Sequence, residues 1–431
     1  MGADLTAHSV ASISGSGAGL EMASETKSVQ GQQTLANEDK EPGGDTILVS
    51  DGNLRTATRT EIETLPQWKR VFAHCRKDWR YYQIVQDTIV QGFDYRYFVV
   101  EDKDGQVRAI QPFFLLDQDL LQGSGQRVTR AVGALRKVFP KALTMRTLMV
   151  GCAAGEGHLG HVDDQHAEWT SRMLQEGLVK YARRVRARMV VLKEFPFTYR
   201  KPLECFSDGG YTRVPSLPMT RLNIAYESFE DYLAKALSKA TRKDLRRKFR
   251  DTDEAEPISL EVVQDVSPYI DEIYPLYLNV YERSSLHFEK LTKDYMCRLG
   301  REMPDKMRFF IWRQKGRAIS FSLCMLQGDC IYDEYLGLDY SLALDLHLYF
   351  YTLRDIVRWG IANGVKWYYS SALNYDPKRR LKCELVPLDL YVAHTSRIAN
   401  AVLRRVLPWL EPTRSDPTLR EFANYAQLWN D

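Results

Sequence analysis

The chain has 431 residues, 44% of them hydrophobic, with 59 basic and 56 acidic side chains and a formal net charge of +3. That length admits two domains with a full core each, and so small a charge imbalance does not by itself call for a nucleic-acid partner. No stretch approaches the roughly 20 apolar residues of a membrane span, no export signal opens the chain, and seven cysteines without a CxxC pair point to reduced thiols in a cytoplasmic setting.

Residues 1–45 are dominated by Ser, Gly, Gln, Thr and Glu, which predicts a disordered tail. Its opening MGADLT fits the myristoylation pattern, a pattern short enough to recur by chance. From Ile47 the chain turns globular. TEIETLPQWKRVFAHCRKDWRYYQIVQDTI repeats apolar residues at steps of three and four, which predicts one or two helices. YRYFVVEDKDGQVRAIQPFFLLDQDLL reads as a strand, an Asp-Gly turn and a second strand. LTMRTLMVG is a further strand running into the glycine-rich GCAAGEGHLG; an amphipathic helix (163–187) and the buried strand RMVVLKEF follow. Gly151, Gly155, Gly157 and Gly160 in that loop are read first as a plain connection, and second as a phosphate cradle or the lining of an acceptor groove.

YESFEDYLAKALSKATRKDLRRKFRD is read as one basic helix over 229–251, with Tyr232, Leu233, Leu237, Leu245 and Phe249 as its apolar stripe and Arg246 and Arg247 among its cations. Its basic rim is either a solvated face or a surface for the phosphates of a donor. RFFIWRQKGRAISFSLCML predicts two antiparallel strands around Lys315-Gly316, and CIYDEYLGL a third, with Tyr332, Glu334 and Leu336 on one face and Asp333, Tyr335 and Gly337 on the other. DYSLALDLHLYFYTLRDIVRWGIANG then repeats with helical spacing up to Asn363-Gly364, and VKWYYSS is a fourth strand. Strand, small-residue loop, helix and strand put a helix N-terminus beside a sheet, a standing site for an anion. This order matches that of the earlier hairpin, strand, glycine loop, helix and strand, even in the tokens GQVRAI and GRAIS, and so predicts a duplicated unit. The tail from Val386 reads as a strand and a helix that ends before Pro408.

The run LSKATRKDLRRKFRD, the hairpin GRAISFSLCM, then YDEYLGLDYSL, a helix and NGVKWYYSSALNYDPKRRL resemble the GNAT superfamily. More narrowly they resemble its tandem, BioF2-like acetyltransferase branch, related to Fem-type peptidoglycan bridge transferases. The resemblance implies an α/β (α+β) fold of two GNAT-like domains, each a mixed central sheet flanked by helices. The expected divisions are a tail over 1–45, domains over 46–215 and 216–395, and a helical tail over 396–431. It also implies acyl transfer to an amine, with the acyl carbonyl between two splayed parallel strands, here CIYDEYLG and VKWYYSS, and the donor's pyrophosphate on LDYSLALDLH.

Glu334 is then the expected base, with a structural ion pair as its rival. Tyr375 is the expected acid for the leaving group, and Lys378 matches a lysine of the family's C-terminal motif. Arg246, Arg247, Tyr335, Tyr340, Ser341 and Ala343 are expected near the donor. The loop lacks the family's Gln/Arg-x-x-Gly-x-Gly/Ala cradle, so acyl-CoA shares the donor role with an acyl carrier protein, and aminoacyl-tRNA is an alternative. A non-catalytic binding module is the reading from another class. No bound cofactor is expected, and no metal: His158, His161 and His166, with Asp163 and Asp164, lack a familiar ligand spacing. Cys324 and Cys330 have no histidine partner in sequence, so they are read as structural thiols.

Overall fold

A computed structural model describes residues 44–119, 144–284, 287–414 and 416–430. The expectations for the tail fall outside these residues, apart from Gly44 and Asp45. A hairpin of β1 (Thr46–Val49) and β2 (Gly52–Ala57) opens the chain and leads to helices α1 (Arg59–Glu63) and α2 (Trp79–Thr88). Strands β3 (Asp94–Asp102), β4 (Val107–Asp119) and β5 (Thr144–Val150) continue antiparallel, and helix α3 (Ala167–Arg184) crosses over to β6 (Met189–Pro196), parallel to β5. Helix α4 (Glu204–Asp208) precedes β7 (Thr212–Pro215) and β8 (Met219–Asn223).

The second half repeats the plan. Helices α5 (Phe229–Ala236) and α6 (Lys239–Asp253) lead to β9 (Ile258–Val263), α7 (Ile270–Arg283) and α8 (Lys293–Glu302). The meander β10 (Met307–Gln314), β11 (Arg317–Gln327) and β12 (Cys330–Leu338) follows, then α9 (Leu348–Ala362) and β13 (Trp367–Ser370), parallel to β12. Helix α10 (Tyr375–Arg380), β14 (Glu384–Val386), β15 (Leu388–His394) and α11 (Arg397–Leu410) complete it.

The result is a mixed α/β molecule with two mixed sheets. One has the order β1-β2-β3-β4-β5-β6-β15-β7 and the other β14-β8-β13-β12-β11-β10-β9. Each sheet therefore holds a strand from the other half of the chain. β8 leaves β7 through residues 216–218 and inserts between β13 and β14; β15 leaves β14 through Pro387 alone and inserts between β6 and β7. Prolines suit these crossings, since a residue without an N–H cannot continue a central ladder. The strand at 388–394 thus pairs in the first sheet although the expected second division ran to 395.

A shared core seals the halves together. It joins Phe72 and Tyr81 with Tyr295 and Phe309, and the Tyr81 and Tyr295 hydroxyls meet at 2.7 Å. Burying a side chain of this size contributes about 1.5–3 kcal/mol.

Three local expectations need correction. The basic helix is two helices, broken at Leu237 because Ser238 caps the second by accepting from the Thr241 N–H at 3.2 Å. The tail helix runs through Pro408 to Leu410; so near a C-terminus, proline removes few intrahelical bonds. Alternation along β12 also breaks. Leu323 pairs with Tyr335 and Cys324 with Asp333, which leaves Glu334 as a bulge. Tyr332 and Tyr335 consequently both pack on the shared core, while Leu336 packs with the α9 side.

Candidate active site at the fork of the second sheet

β12 and β13 are hydrogen-bonded neighbours only from Cys330/Trp367 to Asp333/Ser370, after which the Ser371 N–H donates to the Asp333 carbonyl at 3.2 Å. β12 continues to Leu338 without that partner. The bulge at Glu334 lies where the strands part, so a fork opens beside main-chain groups of β12.

The first sheet has the same parallel pair, registered from Thr147/Met189 to Val150/Leu192, but its fork is filled. The glycine loop turns back between β4 and β6, beyond the end of β5. The Gly157 N–H donates to the Lys193 carbonyl at 3.1 Å, the Ile110 N–H to Gly160 O at 2.7 Å, and the Val162 N–H to Arg108 O at 2.8 Å. A Cβ on Gly157 would stand 2.6 Å from Lys193 O, and one on Gly160 1.9 Å from Ile110 O. These two glycines serve close backbone packing, the plain-connection reading; the Gly157 N–H is spent on the Lys193 carbonyl and the Gly160 N–H on Gln111 Oε1 at 3.0 Å.

Glu334 belongs to a buried ionic quartet. Arg76 donates to Glu334 at 2.7 Å and to Glu156 at 2.6 and 2.8 Å, while the Lys77 ammonium lies 2.7 Å from Glu156 and 3.2 Å from Glu334. All four side chains are at most 8% exposed. Burial works against the Glu156 carboxylate, yet Arg76 and Lys77 hold its pKa well below the usual range. The Arg76 guanidinium also stacks 3.9 Å above the Tyr332 ring. This is the ion-pair alternative for Glu334, and two cations clamp the carboxylate expected to act as base.

One residue on, the Tyr335 hydroxyl donates to half-buried Glu289 at 2.9 Å. Burial raises the Glu289 pKa, with Lys193 opposing. Sequence reasoning missed Glu289, because nothing in SSLHFEK marks it until the chain folds back onto β12. Tyr335, expected near the donor, thus has its hydroxyl bound to a carboxylate.

On the other face of β12, Asp333 accepts from the Tyr368 hydroxyl at 2.7 Å and the Ser322 hydroxyl at 3.0 Å, and burial pushes its pKa up to about 6. Burial brings the Lys378 amine down to about 8. That ammonium donates to the carbonyls of Ser371 and, at 2.8 Å, Leu373, so Lys378 anchors the end of β13 at the fork. The Tyr375 hydroxyl donates to Pro218 O at 2.9 Å within a cluster of Leu385, Leu419, Phe422 and Leu428. Its proton is committed there, away from the acid role expected of it.

The loop between β12 and α9 folds on itself. Asp339 accepts from the Ser341 N–H at 3.0 Å and from the Ser341 hydroxyl, its carbonyl accepts from Ala343 N–H at 2.9 Å, and Arg317 pairs with its carboxylate at 3.0 Å. The Asp339 carboxylate thus takes the Ser341 N–H and its carbonyl the Ala343 N–H, donors expected to meet a phosphate. Tyr340 lies under the Arg283 guanidinium at 3.7 Å. Helix α6 flanks this loop: Thr252 donates to Leu346 O at 2.8 Å, and burial followed by the charges of Lys248 and Arg247 lowers the His347 pKa. Arg246 is exposed, and Arg247 pairs with Asp244 at 3.0 Å.

Among the described residues no cluster has the makings of a metal site. His161 faces Asp164 at 3.1 Å and His166 lies 3.9 Å from Asp163, whereas His158 contacts Glu156 at 3.3 Å and the Tyr199 hydroxyl at 3.2 Å. Burial opposes ionisation of Cys75, but His158 and His74 bring its thiol down to about 6, and Cys75 with Glu156 raises His158 to about 9 despite burial. Cys324 is buried against Asp333, and burial drives its pKa well up.

Residues 239–379 match the family model described as acetyltransferase (GNAT) domain, a span that holds the fork, α6 and Lys378. No curated protein matches the chain. Among solved structures it is similar to FemX, with a TM-score of 0.48 at 10% identity over 78% of this chain and 96% of that one. It is also similar to a tandem GNAT protein from the clavulanic acid biosynthesis pathway (TM-score 0.45, 12% identity, 79% and 98% covered). A third is the L-PGS of Bacillus licheniformis (TM-score 0.45, 13% identity, 78% and 96% covered).

Proposed function

We propose that this chain, whose residues 239–379 match the acetyltransferase (GNAT) domain model, is an N-acyltransferase that works at the fork between β12 and β13. The observation that carries the reading is the edge of β12 beyond Asp333, which on the β13 side has no strand partner among the described residues. Main-chain N–H groups there are suited to receive the acyl carbonyl and to stabilise the oxyanion formed when an amine attacks it. The C–N bond forms, the bond from the acyl carbon to the donor's sulfur or oxygen breaks, and the amine's proton passes to a base. Glu289 is a better base than the clamped Glu334, since burial raises its pKa and Tyr335 orients it. Glu334, with Arg76 and Lys77, holds the bulge in shape.

Donors with a thioester, on coenzyme A or on a carrier protein, come first. Incubating the pure protein with such donors and a panel of amines, and following thiol release, tests this. No thiol release and no acylated amine with folded protein would end the reading. A second reading, transfer from aminoacyl-tRNA, draws on Asp339 occupying the loop and on the exposed cations of α6 beside it. It requires charged tRNA to be consumed, with binding that weakens steeply as salt rises.

A further inference from the structure

Helix α11 carries apolar residues on two faces. Leu403 and Leu407 point inward onto the shared core. Outward stand Ile398, Val402, Val406, Trp409 and Leu410, which are 82%, 57%, 41%, 85% and 71% exposed. These are five of the eleven large hydrophobic side chains exposed among the described residues, gathered on one 14-residue helix. At about 100° per residue they fall within a single stripe, so this is a patch rather than scattered exposure.

The charges around the stripe say what covers it. No acidic residue occurs in RIANAVLRRVLPWL, and Arg397, Arg404 and Arg405 take one flank. The basic rim continues off the helix. Thr395, just before α11, donates its N–H to the Arg188 carbonyl at 2.8 Å, which brings exposed Arg186 and Arg188 alongside. Among the described residues no carboxylate pairs with these five arginines.

We propose that α11 is a membrane-surface element that lays its outward stripe into a bilayer of anionic phospholipid, with the arginines on the phosphate groups. A Trp-ended apolar face beside a wholly basic flank has the chemistry of the headgroup boundary, which supplies apolar depth and negative charge in one plane. No helix among the described residues is long and apolar enough to cross a membrane, so attachment is peripheral. The proposal is independent of the acyl-transfer reading.

The test is co-sedimentation of the full chain with phosphatidylcholine vesicles with and without phosphatidylglycerol, at low and high salt, alongside light scattering for mass. Binding should require phosphatidylglycerol and fall with salt. R404A/R405A should weaken it about 25-fold, given a factor of about five per arginine at an anionic surface. V402E/W409E should abolish binding without moving the melting temperature, because both side chains already face solvent. Absence of binding at low salt, or binding unchanged in V402E/W409E, overturns the proposal. So does a dimer in solution that V402E/W409E converts to monomer, which would give the stripe to a second copy of the chain.

Discussion

At the scale of single residues, the fork is governed by buried charge. Glu334→Gln leaves Arg76 and Lys77 with one carboxylate between them, and breaking a buried pair in this way costs about 3–5 kcal/mol. Chemical denaturation should reveal that loss, and adding Lys77→Gln should recover part of it, a coupling that a double-mutant cycle measures. Glu289→Gln should behave differently: a turnover loss of about 10²–10⁴-fold with little change in melting temperature. Asp333 supplies a pH test. Its folded pKa of about 6 lies above its ordinary 3.8, so folding favours the protonated form, and the stability present below pH 3.8 is lost as pH rises through 6. Asp333→Asn should therefore flatten stability between pH 4 and 6 and raise it at pH 7 by about 3 kcal/mol, at 1.36 kcal/mol per pKa unit. Cys75 and His158 should form an ion pair between pH 6 and 9. The ultraviolet absorbance of native protein should contain one thiolate titrating near pH 6, absent in Cys75→Ser, while burial keeps Cys152, Cys205 and Cys330 near 11.

At the scale of elements, the glycine loop gives a test of its packing role. Gly160→Ala sets a methyl 1.9 Å from the Ile110 carbonyl, so it should cost at least about 1–3 kcal/mol, whereas Gly92→Ala meets no neighbouring atom and only the smaller strain of a positive φ. Thermal unfolding separates the two. Here the reach of sequence reasoning is also visible. The meander around Lys315-Gly316, with φ of 51° and 76°, and the parallel strands on either side of α9 were legible, because period and turn residues are local signals. The quartet was not: Arg76 and Glu334 lie 258 positions apart, and no spacing rule reaches across that distance. The bulge that displaces Glu334 depends on the partner strand β11, so strict alternation placed Tyr335 on the wrong face. Tyr375 looked available from its position after a strand, and only tertiary packing sends its hydroxyl to Pro218.

At the scale of the whole molecule, exchanged strands make the two sheets hard to separate. Asp389 on β15 is 1% exposed and held by Arg200 at 2.6 Å and Arg213 at 3.4 Å. Removing that carboxylate by Asp389→Ala should cost about 3–5 kcal/mol. The wild-type chain should unfold in one transition seen alike by calorimetry and by fluorescence from either half, and two resolved transitions would contradict the shared core.

Synthesis from the ribosome adds a timing consequence. The first sheet cannot close until His394 has emerged, roughly 180 residues after β7, so at about 5–20 residues per second its gap between β6 and β7 stays open for on the order of ten seconds or more. During that interval two unfilled edges face solvent, and a nascent chain stalled before Pro387 should be markedly more prone to strand addition and to degradation than the released protein.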